Sequence, residues 1–431
     1  MVRKQLATML QDLSDSGMVV NHKKSTLEPT QEVEHLGFSL DLKRGLLQVP
    51  QEKLKTIRRE LEKILTHSEM TCRKMAAILG ATRAFLMAMP FLRGFTDQLV
   101  QFVNQQQHRG WDQKLSLPWE LQQQVKEMNH VMEQWKGRSF LGKIPVRELH
   151  SDSSQEAWAG VDITSGTTIQ EFWRNKSGLH INVKELEAAI NTVKSLAKKK
   201  EHVSLKVDNS VTFAYLSKGG GRIPSLNKQI RPFLTWCMEH QITLDIQLIK
   251  SADDLADGPS RMRQDHGYYT LNRHLFEEVL SRFHSWVCPD VDMFASPGNH
   301  QLRKFVSRQP HWQALEVDAL KCPFEGSTHC YANPPWKVIG KWLHRLRQNP
   351  HLNCLMITPY WVSSAWWPLL LKLHVKGSPA LLIPPFHGMF ANCWGKSIAP
   401  PRWPLIFTLL SGKAYRPNKS AMKLQTLFWE A

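Results

Sequence analysis

The spacing of apolar and polar residues changes period along the chain, and each change predicts an element. Residues 2–17 (VRKQLATMLQDLSDSG) carry apolar side chains at helical spacing and predict an amphipathic helix. Strand-like runs follow at 18–30 and 32–50, then a helix of alternating charge begins at Gln51, with helical pattern continuing to Phe102. From Leu149 to Met262 the pattern reads strand, strand, strand (167–173), helix, strand, short helix, a break at Gly219–Gly221, helix, strand, helix. After Arg263 short apolar runs (VDMFAS, CYANPPW, NCLMITPYW, PALLIPPF, PLIFTLLSG) alternate with amphipathic stretches such as KVIGKWLHRLR. Strands alternating with helices predict a mainly parallel, doubly wound, Rossmann-like sheet there, and an α/β multidomain chain as a whole.

On that pattern four acids take distinct local settings. Asp152 lies in a strand, Glu185 at the opening of a helix, Asp208 at a strand end, and Asp257 in a short helical segment. Such elements can aim four carboxylates at one point. Clustered carboxylates repel unless cations lie between them, which calls for Mg²⁺ or Mn²⁺. Two such ions about 3.5–4 Å apart are a standard means of cutting phosphodiester bonds. Each acid also has a plainer reading. Glu185 stands three residues after Asn182 and fits a capping box, while Asp152 and Asp208 fit turn positions.

Composition narrows the class. The 431 residues allow two to four domains, and 42% apolar with 22% charged residues is a globular composition. The seven cysteines are scattered singly, without a CxxC pair, which argues against a zinc ribbon or a disulfide framework and for a reducing compartment, cytosol or nucleus. No apolar run reaches membrane-spanning length, and the N-terminus does not read as a secretory signal. A formal net charge of +17 points to a polyanion partner, bound in a salt-dependent way.

The ordered motifs Asp152-Ser153-Ser154 with Gly160, Asn182 to Leu186, Asp208-Asn209, and Ala256 to Arg261 resemble the ribonuclease H of retroelement polymerases. The resemblance implies that Asp152, Glu185 and Asp208 hold one metal, Asp152 and Asp257 the other, and that the substrate is the RNA strand of an RNA–DNA hybrid. That family usually carries a His in the loop before the last Asp. Gln247 stands at its place here, with Lys250 and Asp253 at the neighbouring loop positions, which implies slower turnover. Lys250 is a candidate to compensate as a cation near the phosphate.

Upstream, NHKKSTLEPTQEVEHLGFSLD resembles the end of a reverse transcriptase palm. The resemblance implies Lys24 near nucleic acid, Leu36-Gly37-Phe38 as a primer grip, a thumb from Gln51 and a connection to about Arg147. Asn209 joins Lys24 as a nucleic-acid-binding candidate. No Asp-Asp pair occurs in this N-terminal region, so the chain alone is expected not to extend primers. Downstream, Asn333-Pro334-Pro335-Trp336 resembles the N-P-P-aromatic motif of amino-group DNA methyltransferases, in which the aromatic ring stacks on a flipped base. Asp318 then corresponds to the residue meeting the adenine of S-adenosylmethionine, and Asp292, with Asn299, to the opening motif of Dam-like enzymes. The usual glycine-rich cofactor loop is absent. A proline turn after a buried strand is the plainer reading.

Together the segments resemble the polyprotein of DIRS-type retrotransposons. Residues 1–65 read as palm end and start of thumb, 66–147 as thumb and connection, 148–263 as ribonuclease H and 264–431 as a Dam-like domain. Polymerase and recombinase parts of such an element are candidate partners. The alternative is a non-catalytic nucleic-acid-binding remnant of one.

Overall fold

The structure, a computed structural model, describes residues 2–66, 69–173, 178–261, 269–324, 329–392, 395–414 and 424–427. It forms two compact units. One holds residues 1–146, 198–204 and 209–247, the other 147–197, 205–208 and 248–431. The boundary expected at 263/264 falls outside the described residues.

In the first unit, α1 (Val2–Asp15) buries none of its residues. Residues 18–30, expected as a strand, instead run as turns and irregular chain. Val19 is 97% exposed there. A strand propensity without a neighbouring strand to pair with has nothing to stabilise it. The expected strand at 32–50 is three: β1 (Glu32–His35), β2 (Phe38–Asp41) and β3 (Leu46–Gln48). His35 faces Phe38 across a two-residue turn in which Leu36 and Gly37 both have positive φ, 49° and 84°. That is the turn whose twist suits a tight hairpin, and it leaves Leu36 projecting into solvent.

The helix expected from Gln51 forms as α2 (Gln51–Thr66), burying Leu54, Ile57, Leu61 and Ile64 at three- and four-residue spacing. β4 (Met70–Thr71) pairs with β5 (Lys114–Leu115). Thr71 caps α3 (Cys72–Arg83) by accepting from the Lys74 amide. These helices, α4 (Leu92–Gln106) and α5 (Trp119–Gln134) enclose a core that includes Met75, Leu79, Phe95, Met128 and Met132. β6 (Arg138–Ser139) adds to β3 as the fourth strand of the small sheet.

The stretch from residue 147 follows the expected element order. β7 (Arg147–Ser153), β8 (Ala157–Asp162) and β9 (Thr167–Phe172) form an antiparallel meander, with Asp152 opposite Ala159. α6 (Ile181–Leu196) lies on β7 and β8. Gly160 permits that approach, because a Cβ there would sit 2.4 Å from Thr192 Oγ1. β10 (His202–Val207), α7 (Ser210–Lys218), α8 (Pro224–Glu239), β11 (Thr243–Leu248) and the short α9 (Asp257–Ser260) complete it. The sheet order is β11-β10-β7-β8-β9, with β9 at an edge.

The remainder of the second unit is built on an eight-stranded sheet. Its elements are β12 (Thr270–Leu271), α10 (Arg273–Phe283), β13 (Val291–Ala295), β14 (Lys304–Ser307), β15 (Glu316–Val317), β16 (His329–Ala332), α11 (Ile339–Gln348), β17 (Asn353–Pro359), α12 (Trp367–Leu373), β18 (Ala380–Ile383), β19 (Phe390–Ala391), β20 (Leu405–Ser411) and β21 (Leu424–Thr426). The order is β15-β14-β13-β16-β17-β20-β18-β21, and β12 pairs with β19 separately. The first five strands are parallel, as expected, but β20 runs antiparallel between β17 and β18. Alternate residues feed two cores. Tyr331, Leu355 and Phe407 pack with Phe276 and Phe283 of α10, while Cys330, Cys354 and Ile406 pack with Trp342 of α11 and Leu370 of α12.

Between β14 and β15, residues 309–312 pack on β9 and α6. Gln309 Oε1 accepts from the Gln170 amide at 3.1 Å, and Trp312 Nε1 donates to Asn191 Oδ1 at 3.1 Å. Lys194 Nζ lies 4.4 Å from the Trp312 ring centre. His311 lies 3.8 Å from Glu171, but burial pushes its imidazole down to about 4, so the pair is not ionic at neutral pH.

Candidate active site

Asp152 sits one residue before the end of β7, and Asp208 directly follows β10. Their carboxylates meet that of Asp254, in the turn ahead of α9, so that one oxygen from each lies within 4.8 Å of the others. Glu185 and Asp257 line the same cavity of about 640 Å³, with Ser153, Ser154, Glu156 and Arg261. All four acids singled out from sequence therefore face one space.

Asp254 was missed. It stands in an Asp-Asp pair whose first member, Asp253, is exposed, whereas Asp254 is 5% exposed. The pair was the available signal, but only the packing tells its two members apart. His150 Nδ1 lies 3.4 Å from Asp254 Oδ1 and also accepts from the Leu255 amide at 3.3 Å. On the other side of the ring, Nε2 lies 3.4 Å from Glu148, which takes a 2.8 Å bond from Lys206.

The capping box proposed for Glu185 does not form. His180 caps α6, its Nδ1 accepting from the Asn182 amide at 3.1 Å. Asn182 is thus inside the helix, and Glu185 lies in the second turn with its carboxyl against the cluster. The β7–β8 turn is fixed by Trp173 Nε1, which donates to Ser153 Oγ at 3.1 Å. Lys184, buried beside Glu185, donates to the Gln155 carbonyl at 2.7 Å. Ser154 Oγ ties this turn to α9 through the Ser260 carbonyl at 2.8 Å, and Ser260 Oγ donates to Asp152.

The electrostatics are those of crowded, buried acids. Burial pushes the Glu185 carboxyl up to about 9, reinforced by Asp152, Asp208 and Asp254. Burial also raises Asp152; the Ser260 hydroxyl works against this, and Asp208 and Asp254 add to it. Asp254 Oδ2 is buried without a hydrogen-bond partner. An orphaned carboxylate oxygen, an oxygen-only donor set and mutual repulsion all fit a hard divalent cation, Mg²⁺ or Mn²⁺. Asp257, less buried, accepts from Arg261 Nε at 2.9 Å. Arg261 is the cation on the cavity wall, and Lys250 is not among the described lining residues. Gln247 Nε2 donates to Asp245 at 2.9 Å.

The two nucleic-acid candidates sit apart in role. Lys24 lies in an exposed turn closed by Asn21. Asn209 Oδ1 accepts from the amides of Val211 and Thr212 as the cap of α7, which gives its side-chain oxygen a structural task.

In the carboxy-terminal sheet, Asn333 directly follows β16 and Asp318 directly follows β15, both at the carboxyl ends of parallel strands. Pro334 is buried, Pro335 is exposed, and Trp336 is 45% exposed. Its ring packs edge-on against Trp361 and Trp403 at 5.3 and 5.0 Å. Asp318, at φ 60°, accepts from the Leu320 amide at 3.0 Å and lies 3.5 Å from Lys321. Asp292 and Asp318 were expected to end neighbouring strands on one rim of this sheet, and Asp292 does not. It is the second residue of β13, not its last, and is 2% exposed, with its carboxylate bonded to the Gln301 amide at 2.9 Å and the Phe294 amide at 3.3 Å. Burial pushes it up to about 7. It braces the 296–301 loop and does not reach the rim.

No protein-family model matches the chain, and no curated protein matches it. Solved structures give faint likenesses. The foamy viral protease-reverse transcriptase in complex with dsDNA shares 16% identity over 58% of this chain and 52% of that one, with a TM-score of 0.29. The same protein in complex with an RNA/DNA hybrid shares 15% identity over 61% and 35%, with a TM-score of 0.27. The chain spans about half the length of the first of these. Among the described residues no helix is long and apolar enough to cross a membrane.

Proposed function

We propose that the chain is a retroelement-derived ribonuclease H that cleaves the RNA strand of RNA–DNA hybrids with two bound Mg²⁺ or Mn²⁺ ions. The observation that carries this is the meeting of Asp152, Asp208 and Asp254 within 4.8 Å, where Asp152 and Asp208 line one cavity with Glu185 and Asp257. When bound, the ions supply an activated water and neutralise charge on the leaving oxygen. Asp152, Asp208 and Asp254 hold them, and Glu185, deprotonated once cations are near, completes the set with Asp257. Ser260 fixes the Asp152 carboxylate, and Arg261 offers a guanidinium to the scissile phosphate at the cavity wall. Hybrid is selected by 2′-hydroxyls and groove shape instead of base sequence. On this reading residues 1–147 are the end of a polymerase palm with thumb and connection, and 148–263 the nuclease.

The test is cleavage of end-labelled RNA in a hybrid. The full chain with Mg²⁺ cuts, and Asp208→Asn lowers the rate by roughly a thousandfold. If wild type and variant are equally inert in Mg²⁺ and Mn²⁺, the nuclease reading is lost and a binding remnant stands in its place.

For residues 264–431 the position of Asn333 and Trp336 favours a second, Dam-like site that binds S-adenosylmethionine. Asn333 follows β16 where it lies beside β13, the strand pair from which the sheet order runs in both directions, and open α/β sheets take ligands at such points. Titrating S-adenosylmethionine against wild type and Asp318→Ala decides it. Absence of binding to wild type removes the reading.

A further inference from the structure

In the first unit, three arginines act on one buried acid. Asp97 of α4 is raised by burial despite Arg83, Arg93 and Arg222, all near enough to stabilise its charge. Only Arg83 bonds it, at 3.1 Å. Arg83 therefore has a structural task, fastening the end of α3 to α4. Arg93 and Arg222 have none of that kind, for neither guanidinium makes a hydrogen bond or ion pair among the described residues.

Arg222 is nevertheless held firmly. Its carbonyl accepts from Gln101 Nε2 at 2.8 Å. On one side, the Gly221 amide donates to Asn227 Oδ1 at 2.9 Å. On the other, the Ile223 amide donates to Tyr215 Oη at 2.7 Å. The Gly219 carbonyl accepts from the Gly94 amide at 3.0 Å, which joins the loop to the residue after Arg93. The backbone on both sides of Arg222 is hydrogen-bonded and its loop is tied to the residue after Arg93, so the two arginines stand on one joined base. Lys218 and Lys228, both exposed, flank them in sequence.

We infer that Arg93 and Arg222 form a clamp for the phosphate backbone of a nucleic-acid duplex. A planar guanidinium matches two phosphate oxygens at once, and a hydrogen-bonded base lowers the entropy lost on binding. A chain of net charge +17 leaves such groups no shortage of polyanion attraction. The inference shares the nucleic-acid partner of the nuclease reading, but its test does not depend on cleavage.

The experiment measures anisotropy of a labelled RNA–DNA hybrid of about 20 base pairs with the full chain in EDTA, over a salt series. Arg93→Gln/Arg222→Gln is expected to reduce the slope of log K against log salt by about 0.9 per lost contact. It should weaken binding on the order of tenfold near physiological salt, equally for unrelated sequences. Arg93→Lys/Arg222→Lys should keep most of the slope. An unchanged slope and affinity in the glutamine variant overturns the clamp. So does a variant that loses binding to polyglutamate but not to hybrid, which would make the patch a protein-docking surface. Should the double variant unfold, Arg222→Gln alone, at an exposed residue, carries the same test with half the slope change. Hybrid binding that responds to these variants in a chain that never cleaves would leave the clamp standing and the nuclease reading lost.

Discussion

Two sets of acids in the second unit look alike in sequence and differ in how their charge is met. Asp292 and Asp318 are answered locally: the first by two backbone amides, the second by one amide and Lys321. Asp152, Glu185, Asp208 and Asp254 are crowded together with too few donors, and one oxygen of Asp254 has none. A carboxylate already satisfied by its own loop has a structural reason to be there. A group of crowded carboxylates that repel each other is destabilising, and a proton or a bound cation relieves it. Asp292 and Asp318 thus belong to their own loops, whereas the crowded acids are the ones a divalent cation would fit.

The largest effect expected from this contrast is at Asp254. Asp254→Asn should lower hybrid cleavage about a hundredfold, while the metal-free protein melts at the same temperature or a few degrees higher, since a repulsive charge is gone. Cleavage that survives Asp254→Asn but not Asp257→Asn would return the metal set to the one expected from sequence.

Next in size is pH. Glu185 ionises near 4.5 in the unfolded chain and about 9 in the fold, so across that window the folded state binds more protons. Stability of the metal-free protein therefore falls as pH rises from about 4.5 to 9. Asp292, displaced from 3.8 to about 7, removes stability in the same direction over its lower window. Thermal melts in EDTA should show both losses. Glu185→Gln should flatten the limb above pH 7 and Asp292→Asn the limb below it. Saturating Mg²⁺ should abolish only the Glu185 part, and an unchanged upper limb with Mg²⁺ would mean that no cation enters the cluster.

The smallest effect is at Asp318. Its bonds are one amide and one exposed lysine, so Asp318→Ala should cost below about 1 kcal/mol, read from denaturant melts. A loss of several kcal/mol would show that the rim acid is structural, weakening its role toward a cofactor.

The region from 147 to 261 was the most legible from sequence, because its strands alternate cleanly and its helices have long amphipathic faces. Asp152, Glu185, Asp208 and Asp257 were found by their elements, and the structure turns all four to one cavity. What sequence could not supply was tertiary. Asp253 and Asp254 are chemically identical, and only the packing of the turn on His150 buries one of them. His180, not Asn182, caps α6, since an imidazole nitrogen can also accept from a first-turn amide, here that of Asn182. The run at 18–30 has strand-forming residues but no strand beside it. The 32–50 run turns at Leu36-Gly37, where a leucine takes a conformation its side chain does not favour. In the carboxy-terminal sheet, apolar runs announce buried strands but carry no mark of direction, so the reversal at β20 was invisible.

The seating of residues 309–312 on β9 has a consequence for the chain's solubility. β9 ends its sheet, and a bare edge strand offers a row of amides and carbonyls on which another molecule can add. Gln309 occupies one of those amides, and Trp312 lies on the adjoining helix. A shortened protein ending before residue 269 would retain every acid of the cavity yet leave that edge open to self-association. Aggregation of such a fragment would then report an uncovered strand, not a misfolded active site.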